Sequence, residues 1–289
     1  MSIIQTRIFK TTIASDEKSM GRASSRELVD LLEEFTVNKG VPVFLNLAAA
    51  PSQDASYAHL VKKAQRDKVD WSKVWVGHLD DYVELPRFHP NTFEVYLNDQ
   101  VIGKLPIPND QVFYIKELQK YLRGAGRNSS KVLADEYGKI MGRTIQTVRS
   151  QGGVYIAQIG FGVNGHMAFN EPHVNKRTKK LVIPVTIDKK SVLQQYNDYK
   201  NHPNPAARYK SLKDVPREAI SVSMAGILDA DYIICVVPGK HKSDAVKGGI
   251  DGMLTEKLPA SMSRLAQHFS LYVTKESASL LADRPMPKY

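Results

Sequence analysis

Short, continuous apolar runs alternate with amphipathic stretches through most of this chain, and that alternation is the strongest constraint on its fold. VPVFLNL, WSKVWVGHL, QVFYI, VYIAQIGFG, YIICVVPG and FSLYVT each read as a strand buried on both faces. Between them, DASYAHLVKKAQRD and NTFEVYLNDQVI carry helical spacing, and a long helix is predicted from about Asn128 to Arg149, with NSS supplying its caps. MAGILDA is also helical in pattern. The order strand–helix–strand predicts an α/β fold: an open, largely parallel, doubly wound sheet with helices on both faces. No Pro/Gly/Ser-rich linker, repeat or low-complexity stretch interrupts residues 1–289, so a single domain is expected.

Several classes fall away on composition. The apolar runs are far shorter than the ~20 residues that span a bilayer. The N-terminal MSIIQTRIFKTTIASDEK lacks the apolar centre of a secretory signal. The lone Cys235 lies in the apolar run IICVV, where a buried, inert thiol is expected and no disulfide framework or Cys-rich metal site can form. A cytoplasmic protein is the expectation. The net charge of +10 invites a nucleic-acid reading, but it is localised. Residues 173–218 hold eleven Lys and Arg against Asp188, Asp198, Asp214 and Glu218, a local 11 − 4 = +7. Without a recognition helix, a zinc site or a basic-aromatic platform, nucleic acid is not the expected partner. The polar, proline-marked YNDYKNHPNPAARYKSLKDVP within that stretch reads as a loop, so about 173–215 is expected to form a basic, lid-like insertion.

Ligands of open parallel sheets gather at the C-terminal ends of strands. Three such ends carry reactive groups here. VWVGHLDDY runs into His78, Asp80 and Asp81; adjacent carboxylates need separate partners or separate roles, the plainer alternative being that one caps the helix near Asn91 or that both are solvated. IGFGVNGHMAFNEP ends a strand in glycines and then offers His166 with Glu171 close behind, a carboxylate able to set the tautomer of an imidazole. The spacing of Gly160, Gly162 and Gly165 superficially matches a dinucleotide fingerprint. It comes late in the chain, however, and KKSVLQQ stands where an acidic ribose partner belongs, which argues against a nicotinamide site. VVPGKHKSDAV places Lys240 and Lys242 at a helix start, a ready anion site.

Together these segments resemble the glucosamine-6-phosphate deaminase/isomerase family, part of the larger group that includes 6-phosphogluconolactonase. LDDY with V-E-L-P and H-P-N-T-F is similar to the family's M-D-E-Y-V-G-L-P…H-P-x-S-Y. GVNGHMAFNEP is similar to G-x-D-G-H-I-A-F-N-E-P, and SMAGILDADYIICVVPGKHK and LPASMSRL follow the later family patterns, so the likeness runs from about residue 15 to 275. The F-N-E-P continuation favours the deaminase side over the lactonase side. The resemblance implies a Rossmann-like sheet, no cofactor and no metal, a small-molecule sugar phosphate as partner, and a fold compatible with homo-oligomers. It implies that Asp80 moves a proton between C2 and C1 of the open-chain sugar, that His166 opens the ring, that Glu171 orients His166, and that Lys242 holds the phosphate. Asp81 and Gly165 are expected at the substrate as well.

Two departures stand out. Asn164 replaces an acidic residue of the family pattern, and it can hydrogen-bond an imidazole without adding charge. The family's Gly/Thr/Ser-rich phosphate loop reads Asn46-Leu47-Ala48-Ala49-Ala50-Pro51-Ser52-Gln53, leaving Ser52 as its hydroxyl. An arginine of the family falls near Gln195, so either Lys189, Lys190 or Arg177 supplies that cation or the substrate carries no phosphate in the usual position. These departures leave open a galactosamine-6-phosphate or other sugar isomerase with altered phosphate recognition, and a non-catalytic sugar-binding homologue.

Overall fold

A computed structural model describes residues 8–64, 66, 68–122 and 129–281. The chain begins with β1 (Ile8–Ala14), α1 (Glu17–Glu33), β2 (Val43–Leu47), α2 (Asp54–Ala64), β3 (Val74–His78), β4 (Asp80–Tyr82), α3 (Phe93–Gln100) and α4 (Ser129–Ser150). It continues through β5 (Val154–Ile159), β6 (Val182–Thr186), α5 (Lys189–Tyr199), β7 (Glu218–Val222) and α6 (Met224–Leu228). β8 (Tyr232–Val237), α7 (Ser243–Ile250), α8 (Pro259–Met262) and β9 (His268–Thr274) complete it. Among the described residues, no helix is long and apolar enough to cross a membrane.

The main sheet has the order β1-β9-β8-β5-β2-β3, and every neighbouring pair is parallel. Its strands read as unbroken apolar runs because both faces are covered. In β2 the alternation still sorts the side chains: Val43, Leu45 and Leu47 join a core with Met20, Leu28 and Leu32 of α1, while Phe44 joins Tyr137, Met141 and Ile145 of α4. A smaller antiparallel sheet, β4-β7-β6, lies beyond the C-terminal end of β3 and has its own apolar cluster, including Tyr82, Phe93, Phe169 and Tyr209. α4 packs against strands of both sheets.

Several expectations change. QVFYI makes only a single bridge, Val112 to Val76 of β3. Just beyond it, the Ile115 N–H donates to His78 Nε2 at 2.9 Å, which draws the chain off the sheet edge into a 3₁₀ turn. Of the caps expected for α4, Asn128 lies outside the described residues. The basic insertion expected over about 173–215 contains β6 and α5, its proline-marked part after α5 holds only the 3₁₀ turn Pro205–Ala207, and Tyr199, Ala207, Tyr209 and Val215 are buried in the third core. Cys235 is buried, and burial pushes its thiol far up.

Candidate active site

The C-terminal ends of β2, β3, β5 and β8 converge on one cavity. Its walls are Ala48 to Ala50, Ser52 and Gln53 after β2, Asp80 after β3, Gly160 to Gly162 after β5, and Lys242 after β8. Phe93, His166, Ala168, Phe169, Gln194 and Gln195 close it, leaving about 510 Å³ of unfilled space including the open mouth. Asp80, His166, Ser52 and Lys242, expected from the sequence, therefore share one space.

Asp80 and Asp81 divide as successive residues of a strand must, to opposite faces. Asp80 faces the cavity. Burial first, and then the neighbouring Asp81 and Glu171, push its carboxyl well above the usual carboxylate range, against a stabilising backbone hydrogen bond from Phe169. Asp81 is not at the cavity. It is fully buried, and its Oδ1 accepts the N–H groups of Tyr82 at 2.8 Å and Phe93 at 3.2 Å, so it serves the first turn of α3. Burial raises it to about 7, although Lys116 pulls the other way. His78 is also turned inward: Nε2 accepts from Ile115, so Nδ1 carries the proton and donates to the Asp80 carbonyl at 3.0 Å. Burial brings its pKa down to about 4, so it is a neutral strut under the Asp80 backbone.

His166 sits on a tight turn. Gly165 has φ +80°, a left-handed conformation that suits glycine; it shapes the turn and does not line the cavity, contrary to the expectation from the sequence. Ala168 is also left-handed, with φ +49°, in the cavity wall, the kind of local strain that clusters at functional sites. Around the ring, Nδ1 lies 3.1 Å from Ser191 Oγ and 3.4 Å from Glu171 Oε2. Asn164 donates from Nδ2 to Glu171 Oε2 and to Asp188 Oδ2, both at 2.7 Å, while its Oδ1 accepts the His166 N–H at 3.1 Å. Glu171 and Asn164 thus touch His166 from behind and do not border the cavity. Burial opposes ionisation of Glu171, but the contacts with His166, Ser191 and Asn164 outweigh it and hold the carboxyl at about 2.

Lys242, also in the cavity wall, is only 5% exposed; burial lowers its pKa, and Asp198 favours the charged form. The alanine loop is tied by tyrosines: Tyr57 OH donates to Ala48 O at 2.5 Å and Tyr96 OH to Ala50 O at 2.8 Å. The N–H groups of Ala49 and Ala50 have no partner among the described residues. Gln53 donates to the carbonyls of Ile159 and Val236, the last residues of β5 and next to last of β8, each at 3.3 Å.

The basic segment does not supply the expected second cation. None of its eleven Lys and Arg lines the cavity. Lys189 and Lys190 are exposed on α5, Arg177 pairs with Glu256 at 2.8 Å, and Lys176 is spent on the carbonyls of Glu171 and Val174. From residues 173–218 the cavity instead receives Gln194 and Gln195. Sequence reasoning missed Asp188, Ser191, Gln53 and the aromatic walls. Asp188 followed by Ser191 at cap spacing was the available signal for the start of α5, where Asp188 Oδ1 accepts the Ser191 N–H at 2.9 Å.

No family model matches the chain. Among curated relatives, the glucosamine-6-phosphate deaminase of Thermoanaerobacter sp. (strain X514) is 28% identical over 243 residues, 84% of this chain and 85% of the relative. The glucosamine-6-phosphate deaminase of Rhodopirellula baltica is 26% identical over 278 residues, 96% of this chain and 97% of the relative. Among solved structures, a monomeric glucosamine-6-phosphate deaminase superposes with a TM-score of 0.76 at 22% identity, covering 94% of this chain and 99% of that one. The 6-phosphogluconolactonase of Trypanosoma brucei does so with 0.74 at 17%, covering 96% and 100%. The fold is that of this group, and the curated relatives carry the name that the sequence motifs resemble.

Proposed function

We propose that this chain converts glucosamine-6-phosphate to a ketose phosphate and ammonia. One observation carries the reading: a raised carboxylate, Asp80, and an imidazole held by a carboxylate, His166, border the same cavity as Lys242 and Ser52.

The chemistry follows from those groups. With Nδ1 engaged by Ser191 and Glu171, His166 offers Nε2 to the cavity, where it takes the proton of the O1 hydroxyl and returns it to the ring oxygen as the ring opens. Asp80 removes the proton from C2; the electron pair forms the C1–C2 double bond while the C1 carbonyl oxygen takes a proton from solvent water, one that leaves again when the amine departs as ammonium. The same carboxyl then delivers the proton to C1, leaving a protonated imine at C2. Water adds there and the amine departs as ammonium, giving the C2 ketone. A carboxyl with raised basicity suits both directions of that transfer. Phe93 and Phe169 line the cavity beside these groups with apolar surface.

The phosphate end is built differently from the glycine-rich pattern of the family, but it still offers donors. Lys242 supplies the cation, Ser52 a hydroxyl, the Ala49 and Ala50 amides free N–H groups, and Gln194 and Gln195 neutral amides. The test is direct. Purified protein given glucosamine-6-phosphate releases ammonia, measured by a coupled assay, and Asp80→Asn abolishes release. Absence of turnover with both glucosamine-6-phosphate and galactosamine-6-phosphate overturns the reading.

A further inference from the structure

α5 reaches His166 only through its first turn, and one carboxylate there governs both partners of the ring. Asp188 does not border the cavity. Its Oδ1 caps α5 by accepting the Ser191 N–H at 2.9 Å, which places Ser191 Oγ 3.1 Å from His166 Nδ1. Its Oδ2 accepts from Asn164 Nδ2 at 2.7 Å, and the other N–H of that amide goes to Glu171 Oε2 at 2.7 Å. A planar amide has two N–H donors and one carbonyl. With both donors taken by carboxylates, Asn164 Oδ1 must face the His166 N–H, where it is found at 3.1 Å.

We propose that Asp188 is a positioning residue for His166, acting through Asn164 on Glu171 and through the α5 cap on Ser191. This deepens, and rests on, the reading of His166 as the ring-opening group. It also accounts for asparagine at position 164. An aspartate there would face both Glu171 and Asp188 across hydrogen-bond distance, with no donor for either. The amide is the element that makes the buried Glu171 and the half-buried Asp188 compatible behind a single imidazole.

The test is a reciprocal swap. Asp188→Asn keeps a side chain that caps helices well, and Asn164→Asp is isosteric, so both variants retain the fold. In Asp188→Asn two amide N–H groups confront each other; in Asn164→Asp the new carboxylate faces two others. Each single variant lowers kcat for ammonia release by about 10-fold while KM stays within about twofold, because neither residue touches the cavity. The double variant regains a donor between positions 164 and 188 and leaves only the contact with Glu171 unpaired, so its loss stays near about 10-fold instead of the roughly 100-fold that independent effects give. The second readout needs no turnover. In histidine-labelled protein, the ring nitrogen resonances of His166, assigned with His166→Gln, move in Asp188→Asn. A wild-type kcat with unmoved ring resonances in Asp188→Asn overturns the proposal, as do multiplicative losses in the double variant. Should the wild type release no ammonia from glucosamine-6-phosphate, that failure belongs to the functional reading, and the ring resonances alone decide the role of Asp188.

Discussion

Gly162 offers the sharpest perturbation of the site, because its effect is purely steric. Its φ lies outside the left-handed region, so an alanine there adds no backbone strain. A Cβ built on Gly162 would lie 2.2 Å from both Cε1 and Nε2 of His166, and 2.6 Å from Cδ2. Ordinary contact begins near 3.4 Å, so the ring must retreat by 3.4 − 2.2 = 1.2 Å. It cannot simply swing aside. Nδ1 is held by Ser191 and Glu171, and the turn is closed by Gly162 N to His166 O at 2.9 Å and Gly165 N to Gly162 O at 3.0 Å.

A displacement of about 1 Å in a catalytic group costs up to ~100-fold in rate, about 2.7 kcal/mol of barrier. The cost to folding is smaller, about 1 kcal/mol at the low end for overpacking, since the ring lies at an open cavity. Gly162→Ala is therefore expected to melt within several degrees of the wild type and to release ammonia about 100-fold more slowly. Steady-state kinetics and a thermal melt on the same preparation separate the two effects. A folded Gly162→Ala with activity within about threefold of wild type would refute the claim that His166 must sit where it does.

Three further outcomes follow from the charges. Glu171, ordinarily near 4.5, titrates at about 2 in the folded protein, so it stabilises the fold above pH 4.5 and that contribution is lost as pH falls toward 2. The 2.5-unit difference corresponds to on the order of 3 kcal/mol, and urea unfolding of Glu171→Gln should show that much less dependence on pH across the same window. Asp81 raises the Asp80 carboxyl, so Asp81→Asn should move the acid limb of the kcat/KM profile to lower pH; an unmoved or upward limb contradicts the coupling. Lys242 is the cation in the cavity wall, and loss of a charged contact worth about 2–3 kcal/mol should raise KM in Lys242→Met by about 30- to 150-fold. Inhibition by inorganic phosphate should weaken in parallel, and unchanged phosphate inhibition would move the anion elsewhere.

The main sheet was legible because its strands are buried on both faces and so read as unbroken apolar runs. β1 was missed: IFKTTIA alternates with Lys and Thr at the sheet edge and carries a weaker signal. The small sheet was missed for a related reason, since β4 is only three residues long and β6 contains Pro184. At the site, the residues that touch the cavity were visible as motifs at strand ends, whereas Asp188 and Ser191 act from 22 and 25 residues beyond His166, across β6. The charge of 173–218 misled most. Charge density along a sequence says nothing of which way side chains point, and here the lysines and arginines face solvent, carbonyls or surface carboxylates while neutral glutamines turn inward.

The small sheet, not the parallel one, sets the spacing between Asp80 and His166. The main sheet brings the ends of β3 and β5 into one cavity but leaves both connecting loops free to vary. β7 removes that freedom. It pairs with β4, placing Asp80 opposite Ser221, and Ser221 Oγ accepts the N–H of Phe169 at 3.0 Å. Asn170 Nδ2 donates to Val222 O at 2.8 Å and to Met167 O at 2.9 Å, stapling the turn that follows His166 to the same strand. A strand more than fifty residues beyond His166 is thus the common template for both groups, and the polar residues of the F-N-E-P run are explained by that attachment: Asn170 fastens the loop, and Glu171, the next residue, is thereby delivered behind the imidazole.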